Sequence, residues 1–334
     1  LTIASFVLLL AFAGNSYAGE NVSDVAGKLS AQKERFEKRV FFEFGGKLKV
    51  YTTEHWLIAT NLPENAAADA GKVFERAYSL FFKLMGGLMK AEEKPASRMA
   101  AFILANDSFR AYYYGGAVCG IFIPFNRKGN FERVVFHEAT HQLHFERTPC
   151  RRNTWLVEGL AMLFQSYSEL EEDQAEKAKG LVPIYLGQLK ENLDKITVSE
   201  LTEMSYDAFH NSENELLHYC ASGALVHFLL FGADGKYKSD FENFLRKETP
   251  EDLFKCLGVD AATLDKKFRE YVPLIPNFPN RCTGNSANYT RRRSKKLIPP
   301  SRTSPSQKYS GFNTISNGRT PISRRRKNWT RMAN

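Results

Sequence analysis

Three histidines and a glutamate stand close together in an otherwise mostly apolar run, VVFHEATHQLHF, residues 134–145. An apolar helix buries polar groups at low cost only when they find partners, and the spacing here suggests which partner. His137 and His141 are four residues apart, which on a helix puts them on one face, about 6 Å apart along the axis, where both imidazoles can reach one ion. Glu138, next to the first histidine, can reach a water beside such an ion rather than the ion itself. This is the HExxH arrangement, and its mechanics are those of zinc-assisted hydrolysis. His144 shares nearly the same face but lies about 10 Å along the axis from His137, too far to bind the same ion. It is expected to support a ligand or to line a cleft. A metzincin would have Gly at position 144 and His at 147, whereas this chain has His144 and Arg147.

The third donor must come from elsewhere, and NTWLVEGLAMLF, residues 153–164, offers Glu158 among Trp155, Leu156, Val157, Leu160, Ala161 and Leu163. A lone carboxylate in so apolar a helix needs a cation or a proton. An ion held by two histidines supplies the cation; Arg151 or Arg152 offers a plain salt bridge instead. Gly159 costs about 1 kcal/mol of helix stability relative to Ala, and is expected to let this helix approach the histidine helix closely. Pro149 separates the two and allows the second to return beside the first.

HEATHQL followed by WLVEGLAMLF resembles the gluzincin group of zinc metallopeptidases. More narrowly, it is similar to bacterial exported peptidase-like domains of unknown function that share HExxH and a downstream W-L-x-E-G-L-A. The resemblance runs from about residue 48 to 272. It implies that His137, His141 and Glu158 bind Zn2+, that Glu138 is the general base, and that a small mixed sheet is followed by a helical subdomain with the zinc between them. Some gluzincins carry an Asp four residues after the glutamate ligand, supporting the first histidine. Here that position is Met162, so another group must orient the histidines, either a backbone carbonyl or one of the acids at 171–173. Similarity to gluzincins that use a tyrosine as oxyanion donor points to Tyr219 in LLHYCASGALVHFLL, with His218, His210 and Tyr206 as further candidates. A core tyrosine with a satisfied hydroxyl is the other reading of Tyr219. By analogy with related enzymes, the strand at 118–124 is expected to lie along the cleft and pair with substrate backbone, with Gly120 permitting close approach.

These residues need elements to position them. Residues 24–41 read as a charged helix. Runs 48–53 and 56–60 read as a β-hairpin, and 63–85 as a helix from the spacing of Val73, Phe74, Ala77, Leu80, Phe81 and Leu84. Residues 99–105 and 118–124 read as strands, the second stopped by Pro124 and a turn. Asn130 is placed to cap a helix starting at Phe131, the next helix begins near Thr154, and from there to about 272 the pattern is helical. The class is therefore α+β, zincin-like.

At 334 residues and 43% hydrophobic, the chain can bury a sizeable core. Its net charge of +9 is not evenly spread. No acidic residue follows Glu270, and 14 of the 46 Lys and Arg lie from Arg281 onward, so the remaining 32 face 37 acidic residues. The body is mildly acidic. The tail, rich in Arg, Lys, Ser, Thr, Pro and Asn, is expected to be disordered. It could attract polyanions weakly, though its aromatics do not alternate with the basic runs as a nucleic-acid platform would. The apolar run from Ile3 to Ala13 is too short to span a bilayer and ends at Ser16-Tyr17-Ala18, a small-x-small cleavage pattern without the usual basic n-region. No other stretch is long and apolar enough for an integral membrane span. Of five cysteines none forms a CxxC pair. If the protein is exported, Cys119 and Cys150 could bracket the histidine helix as a disulfide.

The organisation expected is a signal peptide over 1–18, a helical segment over 19–47, a metallopeptidase domain over 48–275 and a basic tail over 276–334. The function expected is a secreted or periplasmic zinc peptidase acting on peptide or protein substrates. The alternative is a weak or inactive peptidase-like binding module at the cell surface.

Overall fold

The computed structural model describes residues 22–85, 97–105, 111–114, 120–125, 131–147, 153–170, 186–246 and 252–275. The expected signal peptide, the basic tail, Cys119, Cys150, Asn130, Pro149 and the acids at 171–173 lie outside these residues. Helix α1 (Val22–Phe44) leads into strands β1 (Lys49–Thr52) and β2 (Trp56–Thr60), then helix α2 (Glu64–Met85) and strands β3 (Met99–Leu104), β4 (Tyr112–Tyr114) and β5 (Gly120–Pro124). The rest of the described chain is helical: α3 (Phe131–Arg147), α4 (Thr154–Ser166), α5 (Leu186–Glu191), α6 (Val198–Glu203), α7 (Tyr206–His210), α8 (Glu215–Phe231), α9 (Lys238–Arg246), α10 (Leu253–Leu257) and α11 (Ala261–Tyr271).

The expected hairpin forms: β1 and β2 pair antiparallel, with Lys49 opposite Thr60 and Thr52 opposite Leu57. The sheet order is β1-β2-β3-β5-β4. The two central pairings, β2 with β3 and β3 with β5, are parallel, and β4 returns antiparallel to β5. This is the small mixed sheet of an α+β fold. Side chains alternate across β3 as the pleat requires. Ala101 and Ile103 face the main core, while Phe102 points the other way, stacked on Phe122 with ring centroids 4.4 Å apart. That second face is covered by α1 through Val40, Phe36 and Phe44.

The main core joins the sheet to the helices. α2 presents Phe74, Leu80 and Phe81, all fully buried, and packs against α3. α3 lies on β4 and β5, and α4 packs between α3 and α8. Helix α8 is apolar almost all round, with Leu217, Cys220, Ala221, Ala224, Leu225, Val226, Phe228 and Leu229 buried, which marks a helix inside the structure rather than on its surface.

Two expectations about glycines need correction. Gly159 does admit a close neighbour, but the neighbour is α8, not the histidine helix. A Cβ there would meet the Ser222 carbonyl oxygen at 2.6 Å and Val226 Cγ2 at 2.8 Å. Gly120 serves the sheet rather than a substrate, because a Cβ there would meet the Ala100 carbonyl oxygen at 2.8 Å. The strand that carries it, β5, has neighbours on both sides, so its backbone groups pair with β3 and β4. The edge on that side of the sheet is β4.

Candidate metal centre

Helices α3 and α4 bring the three expected donors together. His137 Nε2 and His141 Nε2 are 3.1 Å apart, and Glu158 Oε2 is 3.7 Å from the first and 3.5 Å from the second. Nitrogen and oxygen donors at about 2.0–2.1 Å from a tetrahedral ion sit about 3.3 Å from one another. The observed triangle has that size, and the three residues form a group able to hold a metal ion.

The setting is one that an ion would suit. Burial pushes the Glu158 carboxyl up to about 8, with the nearby Glu138 and Glu215 adding to the effect. Burial pushes His137 down to about 4 and His141 well below the usual histidine range, in the second case helped by His137, His144 and His210. Both shifts disfavour charge on groups that lack a counter-ion. Glu158 Oε2 and His141 Nδ1 are buried without a hydrogen-bond partner among the described residues. A carboxyl and two imidazoles converging on one point form a donor set that a divalent cation satisfies, displacing the protons they hold without it,.

Glu138 lies beside this triangle, buried, its carboxyl raised to about 8 by burial. The support that Met162 cannot supply comes from Gln165, one turn further along α4. His137 Nδ1–H donates to Gln165 Oε1 at 3.1 Å, which turns Nε2 toward the donor triangle and fixes the tautomer. Gln165 was not anticipated. Its signal is weak in the sequence, since a glutamine near the end of a helix has many bland uses.

A second wall is built by α7 and the start of α8. His210 Nε2 lies 3.6 Å from Glu158 Oε1, and its Nδ1 shares a 3.3 Å hydrogen bond with the Tyr219 hydroxyl. Glu215 Oε1 is 3.8 Å from the same Nδ1. Burial lowers the His210 pKa, opposed by Glu215. Burial, with Glu158 and Glu215 nearby, holds the Tyr219 hydroxyl above its ordinary range, so it stays protonated. The Tyr219 ring centroid is 6.4 Å from that of His137. Of the other candidates, His218 turns away and its Nδ1–H donates to the Phe209 carbonyl at 3.1 Å, tying α8 to α7. Tyr206 is exposed, its ring centroid 4.2 Å from that of His210. His144 is fully buried and stacks on Phe145, outside the donor triangle.

Among the described residues no helix is long and apolar enough to cross a membrane, and Cys220 is a buried free thiol. A search of curated proteins finds no match to the chain. Over residues 133–251 the chain is similar to a family described as "Protein of unknown function (DUF1570)". That span contains both histidine donors, Glu138, Glu158, Gln165, His210 and Tyr219.

Proposed function

We propose that this protein is an exported zinc peptidase, cleaving peptide bonds with water at the site built on α3 and α4. One observation carries the reading: three donor atoms at tetrahedral separations, with the buried carboxyl of Glu138 next to them. His137, His141 and Glu158 would hold the ion. Two imidazoles and a carboxylate suit Zn2+ in hydrolysis, where three protein donors leave the fourth position to water or substrate. When bound, such an ion supplies a Lewis acid that polarises a carbonyl and acidifies water.

The remaining work falls to the chain's own side chains. Glu138 takes the proton of the attacking water and returns it to the leaving amine, which its position beside His137 and its neutral-range pKa both suit. His210 provides a donor for the negative charge that develops on the carbonyl oxygen. When the Tyr219 hydroxyl donates to Nδ1, the proton of His210 sits on Nε2, the nitrogen that faces Glu158. Tyr219 thus acts either through His210 or directly from its own hydroxyl. Gln165 holds His137 in its binding orientation. A peptidase-like binding module is the alternative; Met162 gives the first histidine no support, but Gln165 supplies it.

The test pairs metal content with turnover. Purified protein should carry about one zinc per chain, lost in His141→Ala and Glu158→Ala. Glu138→Gln should keep the zinc and lose cleavage of a peptide library by at least about 100-fold. Full cleavage by Glu138→Gln would overturn the mechanism, and absence of zinc after reconstitution would overturn the metal reading.

A further inference from the structure

We infer that the tip formed by the end of α1, the following turn and β1 is an anchor that seats on an anionic bilayer surface. Phe41 and Phe42 are 68% and 86% exposed and adjacent in sequence. They end a helix whose other aromatics, Phe36 and Phe44, pack against the sheet. Phe41 and Phe42, with Val40, Leu48, Val50 and the charged Glu37 and Lys38, line a mostly apolar hollow of about 490 Å³. Gly45 and Gly46, at φ of 61° and 74°, reverse the chain there. Gly46 also leaves room for the Phe41 ring, since a Cβ would meet Phe41 Cε2 at 3.2 Å.

Three features favour a lipid surface over a protein partner. The exposed apolar area is small: two phenylalanine rings offer about 300–500 Å², short of the about 800 Å² per partner of a stable interface. It is enough for shallow insertion among head groups. The rim is cationic. From residue 33 to 49 six cations (Lys33, Arg35, Lys38, Arg39, Lys47 and Lys49) stand against three carboxylates (Glu34, Glu37 and Glu43), with Lys38 paired to Glu34 at 2.6 Å and Lys33 to Glu37 at 3.5 Å, which leaves a net positive charge. Cations around protruding aromatics match a negatively charged head-group layer. Finally, the tip is built on the sheet face opposite α2 and α3, so seating it leaves the metal centre uncovered. The inference does not depend on the site being a peptidase.

The test uses the full chain and a reporter at the tip itself, because the basic tail could bind anionic vesicles on its own. Phe42→Trp places an indole at the most exposed ring, and subtracting the parent spectrum removes Trp56, Trp155 and Trp329. With vesicles of phosphatidylglycerol and phosphatidylcholine, the difference emission should shift to the blue and be quenched by brominated acyl chains. Phosphatidylcholine alone should give less of both. In 0.5 M salt, Phe41→Ser with Phe42→Ser should lower partitioning at least about tenfold, with an unchanged melting temperature. Emission that stays water-like on vesicle-bound protein would overturn the inference. So would emission already blue without vesicles, which would mean that a second copy or another part of the chain covers the tip.

Discussion

At the scale of single residues, the centre is a set of charges placed where charge is disfavoured, and its pH behaviour follows. In the metal-free protein Glu138 and Glu158 have folded values raised to about 8 from an ordinary 4.5. A raised value means that the folded state holds protons the unfolded chain has released, so their contribution is full below about 4.5 and is lost as pH rises through 8. His137 works the other way, with its contribution full above 6.5 and lost as pH falls toward 4. Between pH 6.5 and 8.5 the carboxylates dominate. Stability of the chelated protein should therefore fall across that window, and zinc-loaded protein should show a smaller fall; denaturant unfolding at the two pH values checks it. Gln165→Leu removes the acceptor for His137 and should weaken zinc affinity about 10- to 100-fold, measured by competition with a chelator of known affinity. Glu158 was legible in the sequence because a carboxylate in an apolar helix demands an explanation. The position of His210 beside Glu158 was legible only as one candidate of four, because it arrives from a five-residue helix with no periodic signal of its own.

At the scale of elements, what could be read was whatever repeats locally. The β1–β2 hairpin, α2, β3, β5, α3 and α4 follow from alternation, from 3.6-residue spacing and from the HExxH motif. Strand β4 did not, because three tyrosines carry no alternation and their pairing with β5 is a property of the sheet. The partner of Gly159 was misassigned for the same reason. Sequence shows that a small residue is placed there, but not which helix it admits. That seam gives a prediction. Gly159→Ala should gain helix propensity yet destabilise the protein by about 1–3 kcal/mol, since the new methyl would meet α8 backbone,. It should also lower zinc occupancy, because Glu158 is the preceding residue. Thermal unfolding and metal content measured on one preparation test both effects.

At the scale of the whole molecule, the sheet and the helical region share one core, with the donor triangle where α3, lying on β4 and β5, meets α4. Without an ion, two buried carboxyls face the buried imidazole of His141 and the partly buried one of His137 where these helices meet. Chelation should therefore lower the melting temperature of the entire described fold in one transition rather than loosen the site alone. Calorimetry with and without chelator distinguishes the two, since a separate low-temperature transition would mean that the α3–α4 pair opens independently.

All three donors lie between residues 137 and 158, on two consecutive helices, although the finished core draws on residues from Trp56 to Ile275. Closing so short a loop costs little entropy compared with assembling the sheet. During synthesis or refolding an ion can thus clamp the helical hairpin before its distant partners arrive, turning a late binding event into an early one. Refolding should then proceed faster when zinc is present from the first moment than when it is added after the chain has collapsed.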